Sequence, residues 1–249
     1  MNTDNKKSNG KKIGLIVGVL FVALLAVVVW WFLRDNAPEA VDLDSAIDNV
    51  ATDSDIDAEA SLEGGIAGSW VVDTQTGEFD YESATGSFAG FRVEEELANV
   101  GSVTAVGRTG DVEGSMTIDG TTLSEASFVV DMSTITTNDG RRDNATRNAL
   151  ETSEFPTAEF KLTEPIELGD GADSGESVDV TARGELTIHG VTNEVEMNLQ
   201  AKLTGATIVV VGSTDVTFSD YGVDTPTARI VVSLDDFGVI EFQMLLVKE

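Results

Sequence analysis

The sequence predicts an all-β fold, an antiparallel barrel of about eight strands with one short helical excursion. Apolar and polar side chains alternate in residues 178–189, VDVTARGELTIH. This is the period of a strand with one buried face and one face exposed to solvent. Residues 194–203, EVEMNLQAKL, repeat the alternation after a turn-like stretch, so the two segments predict a hairpin. Only residues 140–152 look helical, with room for roughly two or three turns.

Six further segments are rich in apolar residues, and Gly, Asp, Asn and Ser separate them at the spacing typical of barrels and sandwiches. They are residues 114–120, 124–132, 157–163, 206–218, 228–234 and 239–247. Their dry faces mix Ala, Gly, Val and Met with larger residues. A closed barrel of about eight strands can fill its interior with side chains or hold one small ligand. Small inward residues favour a ligand, and a fully packed core is the alternative.

Residues 13–33, IGLIVGVLFVALLAVVVWWFL, contain no charged side chain and predict a single transmembrane helix. A helix of this length rises about 30 Å, the thickness of a hydrocarbon core. Four lysines lie in residues 1–12, and only Arg34 follows the apolar stretch before an acidic region. The positive-inside rule therefore predicts a cytoplasmic N-terminus and an extracytoplasmic remainder. A cleaved signal peptide is the alternative, although its apolar region is shorter, about 7–15 residues.

Residues 34–66 predict a flexible, disordered linker. After Arg34 this stretch carries many carboxylates and no basic residue, so it offers little apolar surface for a core and repels itself. The remaining residues, 67–249, form the predicted β domain.

The overall composition excludes several classes of function. A formal net charge of −29 argues against a nucleic-acid partner, because phosphate binding depends on Lys and Arg. The chain has no cysteine, which excludes disulfides, thiol catalysis and thiolate metal sites. His189 is the only histidine, and its place beside a turn favours a structural role. Carboxylate pairs arise by chance in so acidic a chain, so we predict no enzymatic activity, no metal and no cofactor.

Four stretches occur in one order along the β domain. They are SWVVD with SFAGF at residues 69–73 and 87–91, the run from Thr137 to Phe160 that contains Arg142-Asp143 and EFPTAEF, GELTIHGVTNEVEMNL at 184–199, and SDYGV at 219–223. Together they resemble the YceI family of lipocalin-like, polyisoprenoid-binding proteins, over about residues 69–249. The final strands match this family loosely. The anchor and acidic linker stand where the family commonly has a cleavable signal peptide.

The resemblance implies an extended antiparallel barrel with a long apolar cavity that holds an isoprenoid chain, such as a polyprenyl lipid or a quinone tail. The resemblance does not identify a protein partner. The inward apolar residues that we expect to line this cavity are Phe88, Phe91, Met116, Ile118, Phe128, Val130, Met132, Leu186, Ile188, Val195, Met197 and Leu199. Plain core packing is the alternative role for each of them.

Arg141, Arg142 and Arg147 gather in the helical excursion of a chain that has only 15 basic residues. One interpretation is that they contact the polar head group of a ligand, because the guanidinium group is a planar fork suited to phosphate. The other interpretation is that Arg142 and Asp143 tie the excursion to the barrel through ion pairs and bonds to backbone carbonyls.

These observations predict a membrane-anchored, extracytoplasmic protein that sequesters or carries an isoprenoid lipid or quinone. The alternative is a protein-interaction or stress-related module whose barrel is packed and holds no ligand.

Overall fold

The computed structural model describes residues 37–52, 65–77, 79, 81, 85–97, 101–224 and 231–249. The predicted anchor, residues 13–33, and the preceding residues 1–12 lie outside the described residues. Over the ranges that are described, no helix is long and apolar enough to cross a membrane.

The described chain contains one 13-stranded antiparallel sheet, two short α-helices and three single-turn 3-10 helices. The helices are α1 (Leu43–Thr52) and α2 (Asp143–Ala149). The strands are β1 (Gly68–Val72), β2 (Phe88–Leu97), β3 (Gly101–Thr109), β4 (Val112–Asp119), β5 (Thr122–Asp131), β6 (Thr136–Thr137), β7 (Thr157–Leu162), β8 (Ile166–Glu167), β9 (Val178–Ile188), β10 (Val191–Thr204), β11 (Thr207–Thr217), β12 (Val231–Leu234) and β13 (Phe237–Lys248).

Eight of these strands close into a barrel. Their order is β1-β4-β5-β7-β9-β10-β11-β13, and β13 closes the ring by pairing with β1, where Lys248 lies opposite Trp70. β2 pairs with β13 beside β1 and extends the sheet through β3 to β6. The predicted hairpin is present as β9 and β10, with Val191 opposite Ile188. The prediction of an antiparallel barrel of about eight strands is therefore confirmed.

The two ends of the barrel are identified by the first and last residues of β13, Phe237 and Lys248. At the Phe237 end, β13 begins, β11 finishes at Thr217, and β9 turns into β10. At the Lys248 end, β13 finishes and β10 turns into β11. Trp70 is fully buried near the Lys248 end, and its indole Nε1 donates a hydrogen bond of 2.8 Å to the carbonyl oxygen of Ile66. The chain that enters β1 is therefore fixed across this end.

Residues 37–52 correct the prediction of a flexible linker and of a single helical excursion. They contain α1, whose buried residues Leu43 and Ala46 pack on Val209, Val211 and Leu245 of the outer barrel wall. Apolar residues three and four positions apart form one stripe of an otherwise acidic helix, and the overall composition hides this stripe. The rest of the predicted linker, apart from residues 65–66, lies outside the described residues. Residues 37–52 are called the strap from here on.

A buried ion cluster holds the strap on the barrel. The carboxylate of Glu241, with a side chain only 1% exposed, accepts hydrogen bonds from Arg108 at 2.8 Å and from Arg92 at 3.4 Å. Arg108 also donates to the carbonyl oxygen of Glu39 at 2.9 Å, and Arg92 donates to that of Pro38 at 2.7 Å. Both arginines thus satisfy strap carbonyls and one buried carboxylate together, as buried charges require.

We predict that Arg108→Met lowers the free energy of unfolding by about 3–5 kcal/mol, because the buried Glu241 loses its main ion-pair partner. The control is Arg183→Met, since Arg183 is 58% exposed where it pairs with Glu196. Loss of an exposed pair costs less than about 1 kcal/mol. Urea denaturation of both variants measures the difference, and equal losses would contradict this role of the ion cluster.

Candidate functional site

An apolar cavity of about 180 Å³ lies inside the barrel. Ile66 and Leu246 border it near the Lys248 end, and Phe218 and Tyr221 border it near the Phe237 end. Well-packed interiors contain few voids larger than a water molecule. An engineered apolar cavity of about 150 Å³ in another protein binds benzene. This hollow is therefore large enough to admit a ligand.

Many inward-facing side chains keep part of their surface uncovered. Phe128, Val180, Leu199, Val210 and Phe242 all border the cavity, and each is only half-buried although it points away from bulk solvent. Residues at such positions in a filled barrel would be covered on all sides. These five residues face free space, so the interior is hollow along several strands rather than packed.

Glycines make room for the aromatic part of this wall. In four places an inward phenylalanine ring lies against a glycine of the neighbouring strand, and a Cβ on that glycine would come closer than 3.0 Å to the ring. The pairs are Phe91 with Gly107, Phe128 with Gly114, Phe160 with Gly184, and Phe242 with Gly212.

Three of these pairs are directly opposed in the strand register, namely the pairs made by Phe91, Phe128 and Phe242. A ring that rests over a cross-strand glycine covers the exposed backbone there. It also occupies space that a side chain would otherwise take, so it lies along the wall and does not fill the hollow. The glycines are thus part of the reason why a wall with large aromatic residues still encloses a cavity.

Charged groups reach only the border of the cavity. Glu159, Glu176 and Lys202 are the charged residues that contact it, and both glutamates are exposed. Burial raises the pKa of the Tyr221 hydroxyl above its ordinary value, so this group adds no charge to the wall. In the part of the chain that the structure describes, no group of three or more His, Cys, Asp or Glu residues could hold a metal ion. The wall is therefore suited to an uncharged, apolar chain.

The structure places ten of the twelve predicted lining residues around the cavity. They are Phe91, Met116, Ile118, Phe128, Val130, Met132, Leu186, Ile188, Met197 and Leu199. Val195 is half-buried and packs on the same core, but it does not border the cavity. Contact of these residues with a ligand stays a prediction.

Phe88 is a correction, because it lies outside the barrel interior. It is 2% exposed, and the guanidinium carbon of Arg108 lies 4.5 Å from the centre of its ring. Phe88 and Phe91 are three positions apart on β2, and a strand sends such residues to opposite faces. The prediction that both residues face the interior was therefore wrong for Phe88.

Part of the cavity wall comes from residues that were not predicted to line it. Segments 206–218 and 239–247 were predicted as strands, but their inward residues were not selected. The structure shows that Ile208, Val210, Ile240, Phe242, Met244 and Leu246 border the cavity. The alternation within these two segments was the signal that could have identified them.

The segment that carries the three arginines is tied to the barrel by its own chain. Arg142 donates to Glu95 at 2.7 Å and to the side-chain oxygen of Asn138 at 3.1 Å. The carboxylate of Asp143 accepts a hydrogen bond of 2.9 Å from the backbone N–H of Thr137. These contacts agree with the interpretation that Arg142 and Asp143 fix the excursion.

The other two arginines differ in their environment. Arg147 donates to the carbonyl oxygen of Ile135 at 2.9 Å, so it also braces the loop before α2. The side chain of Arg141 is 87% exposed and pairs with Asp139. The hydrogen bond from Arg141 holds the pKa of Asp139 below its ordinary value. Of the three guanidinium groups, that of Arg141 is the most accessible to another molecule.

His189 is held by groups of its own chain at the Phe237 end. Its Nε2 lies 3.0 Å from a carboxylate oxygen of Glu151, and its Nδ1 lies 3.2 Å from the carbonyl oxygen of Tyr221. The ring of Phe155 packs edge-on at 4.8 Å between centroids. His189 therefore links the β9–β10 turn to the segment after α2 and to the cavity residue Tyr221, which supports a structural role.

We predict that Gly107→Ala lowers the free energy of unfolding by about 1–3 kcal/mol, because the new methyl group overlaps the Phe91 ring. Phe91→Val removes the ring and leaves room for that methyl group. The double variant is expected to lose less stability than the sum of the single variants, and a thermal-denaturation cycle measures this coupling. Strict additivity would show that the ring does not depend on the glycine.

Comparison with known proteins agrees with this geometry. Residues 70–245 match the YceI-like domain. A UPF0312 protein of Vibrio cholerae is 27% identical over 139 residues, which cover 52% of this chain and 70% of that protein. A UPF0312 protein of Pseudomonas aeruginosa is 32% identical over 117 residues, or 45% of this chain and 56% of that protein.

A solved structure is similar as well. It is that of a polyisoprenoid binding domain from Saccharophagus degradans implicated in plant cell wall breakdown. It superposes with a TM-score of 0.51 at 20% sequence identity, covering 66% of this chain and 94% of that chain, which shows a shared fold. Since the matched domain spans well over half of the sequence, the chain belongs to the YceI-like family.

Proposed function

We propose that this protein binds an isoprenoid-chain lipid, either a polyprenyl lipid or a quinone, in the barrel cavity and sequesters or carries it. The apolar hollow of about 180 Å³ is the observation that carries this proposal. Transfer of apolar surface out of water gains about 25 cal/mol per Å². A chain of repeated five-carbon units offers a large apolar surface and no group that needs a buried polar partner.

The wall also suits the shape of such a chain. Met116, Met197 and Met244 border the cavity on three different strands. Methionine side chains are flexible and polarizable, so they adapt to an irregular or kinked ligand. The polyisoprenoid-binding activity of the Saccharophagus degradans domain supports the same class of ligand for a shared fold. Because charges reach only the cavity border, we place the apolar tail inside and any polar head group at an end.

We propose binding and not catalysis. Among the described residues, the most deeply buried carboxylate is that of Glu241, and it is paired with Arg108 outside the cavity. His189 is engaged by Glu151 and by a backbone carbonyl. The cavity wall itself is apolar. These features favour a container for a ligand over a reaction centre.

A protein-interaction or stress-related module with a packed barrel is the alternative. The half-buried inward residues and the volume of the hollow favour ligand binding over this alternative. A stoichiometric protein partner captured by lipid-free protein would favour the alternative.

We also propose that residues 13–33 anchor the chain in the cell membrane as a single-pass helix, with the N-terminus in the cytoplasm and the barrel on the extracytoplasmic side. The absence of charge in this segment and the lysines before it support this topology. An anchored barrel stays close to a source of isoprenoid lipid, which raises the effective concentration of its ligand.

We predict that the purified full-length protein yields isoprenoid lipid when it is extracted with organic solvent and analysed by mass spectrometry. Ala158→Phe should reduce the lipid content about tenfold, because about 1.4 kcal/mol corresponds to that factor and overpacking costs about 1–3 kcal/mol. Ala158 borders the cavity and is half-buried, so the larger ring enters the free space. Ala206→Phe is the control, because Ala206 is exposed in the β10–β11 turn.

Two outcomes would contradict the binding proposal. One is an extract of the unmodified protein that contains no isoprenoid lipid. The other is an equal lipid content in the Ala158→Phe and Ala206→Phe variants.

The roles of the arginines give a separate prediction. Arg142→Ala should lower the melting temperature, because Glu95 loses its partner at 2.7 Å. Arg141→Ala should leave the melting temperature unchanged and should raise the pKa of Asp139, as measured by NMR titration. Loss of lipid from Arg141→Ala at unchanged stability would assign that guanidinium group to a ligand head group. Retained lipid would exclude that role.

A further inference from the structure

The strap follows the outer wall of the barrel toward the Phe237 end. Its buried residue Leu43 packs in one cluster with Leu245 of β13. Nearer the N-terminus, the backbone N–H of Val41 donates to the side chain of Glu241 at 3.3 Å. The contact on β13 thus moves four residues toward Phe237 while the strap is followed back by two residues.

The next contact keeps the strap at the level of Glu241. The carbonyl oxygen of Pro38 accepts a hydrogen bond of 2.7 Å from Arg92, and Arg92 lies opposite Val239 in the β2–β13 register. The guanidinium group of Arg92 also reaches Glu241 at 3.4 Å, so Pro38 lies at the level of Glu241, four residues from the start of β13. The described part of the strap therefore begins nearer to the Phe237 end of β13 than to its Lys248 end.

Large apolar side chains are exposed at this same end. Phe237 is 61% exposed, which makes it the most exposed large apolar residue of the part of the chain that the structure describes. It shares the outer face of β13 with Val239, because residues two apart on a strand point the same way. Val191, which begins β10 at this end, is 37% exposed.

The strap also shortens the connection to the proposed anchor. We expected a linker of residues 34–66, but Ala37 already belongs to the strap. Only four Cα steps separate Leu33, the last residue of the apolar segment, from Ala37. At about 3.8 Å per step, they reach at most about 15 Å. The two ends of a 12-residue strand such as β13 lie about 40 Å apart. The connection to the proposed anchor is therefore much shorter than the strand.

We propose that the Phe237 end contacts the lipid bilayer, with Phe237 and Val191 at the lipid–water interface, so that the strap holds one end of the cavity against the membrane. This inference rests on the proposed anchor at residues 13–33. Phe218 and Tyr221 border the cavity at that end, so a lipid tail has a short path from bilayer to barrel. A net charge of −29 opposes attraction to anionic lipids, so the contact is apolar.

The absence of cysteine allows a direct test. Full-length protein carrying a single nitroxide at Phe237→Cys, Val129→Cys or Ala206→Cys is reconstituted in phosphatidylcholine vesicles. Val129 is an exposed apolar control on the β5 wall, and Ala206 marks the Lys248 end. The ratio of oxygen to nickel-complex accessibility reports lipid contact. We expect a several-fold higher ratio at position 237 than at positions 129 and 206.

Vesicle flotation separates the inference from the anchor on which it rests. Protein that floats but has equal ratios at the three positions overturns the bilayer contact and leaves the anchor intact. Protein that does not float overturns both. The lipid content of the purified protein is measured independently, so a separate experiment tests the proposed binding of an isoprenoid lipid.

A second pair of variants tests the strap. Ala46 is 1% exposed against the barrel wall, whereas Ser45 is exposed on the same helix. Ala46→Gln should release the strap, so the ratio at position 237 should fall to that at position 206 while the protein still floats. Ser45→Gln should leave the ratio unchanged. A ratio that survives Ala46→Gln would show that the strap does not hold this end to the bilayer.

Discussion

The close contact between inward phenylalanine rings and cross-strand glycines is the constraint on which the cavity depends. A barrel of eight strands is narrow enough to be filled by its own side chains. Here Gly107, Gly114, Gly184 and Gly212 leave space beside the sheet, and the facing rings occupy it. Large apolar residues thus cover the wall while the middle stays open. The same residues give the hollow its apolar character, so the wall that keeps it empty of protein also suits an apolar ligand.

A second constraint acts on the outer face. Burial of Glu241 requires cationic partners, and Arg92 on β2 and Arg108 on β3 supply them. Each arginine also donates one hydrogen bond to a strap carbonyl, so the strap completes part of the charge cluster. Packing of Leu43 and Ala46 on the wall adds apolar burial. One network therefore joins the stability of the barrel to the path of the chain that enters it.

Local patterns predicted the parts of this structure that depend on local sequence. The alternation in residues 178–203 identified β9 and β10 and the inward residues Leu186 and Met197, because strand period alone sets their direction. Phe88 was misplaced because the run SFAGF has a glycine where the alternation would be read. The strap was missed because its helix is stabilised by partners such as Leu245 and Arg108, which lie far away in sequence. The glycine–ring pairs were invisible for the same reason, since they depend on strand register.

We expect the cavity to stay open without a ligand, because the contacts between glycines and rings hold the wall in place. A crystal structure of the protein after complete removal of lipid tests this most directly. We expect the rings of Phe91, Phe128 and Phe242 to remain against their glycines, with a continuous apolar hollow from Ile66 to Phe218. An interior in which these rings have turned inward and closed the space would contradict the account.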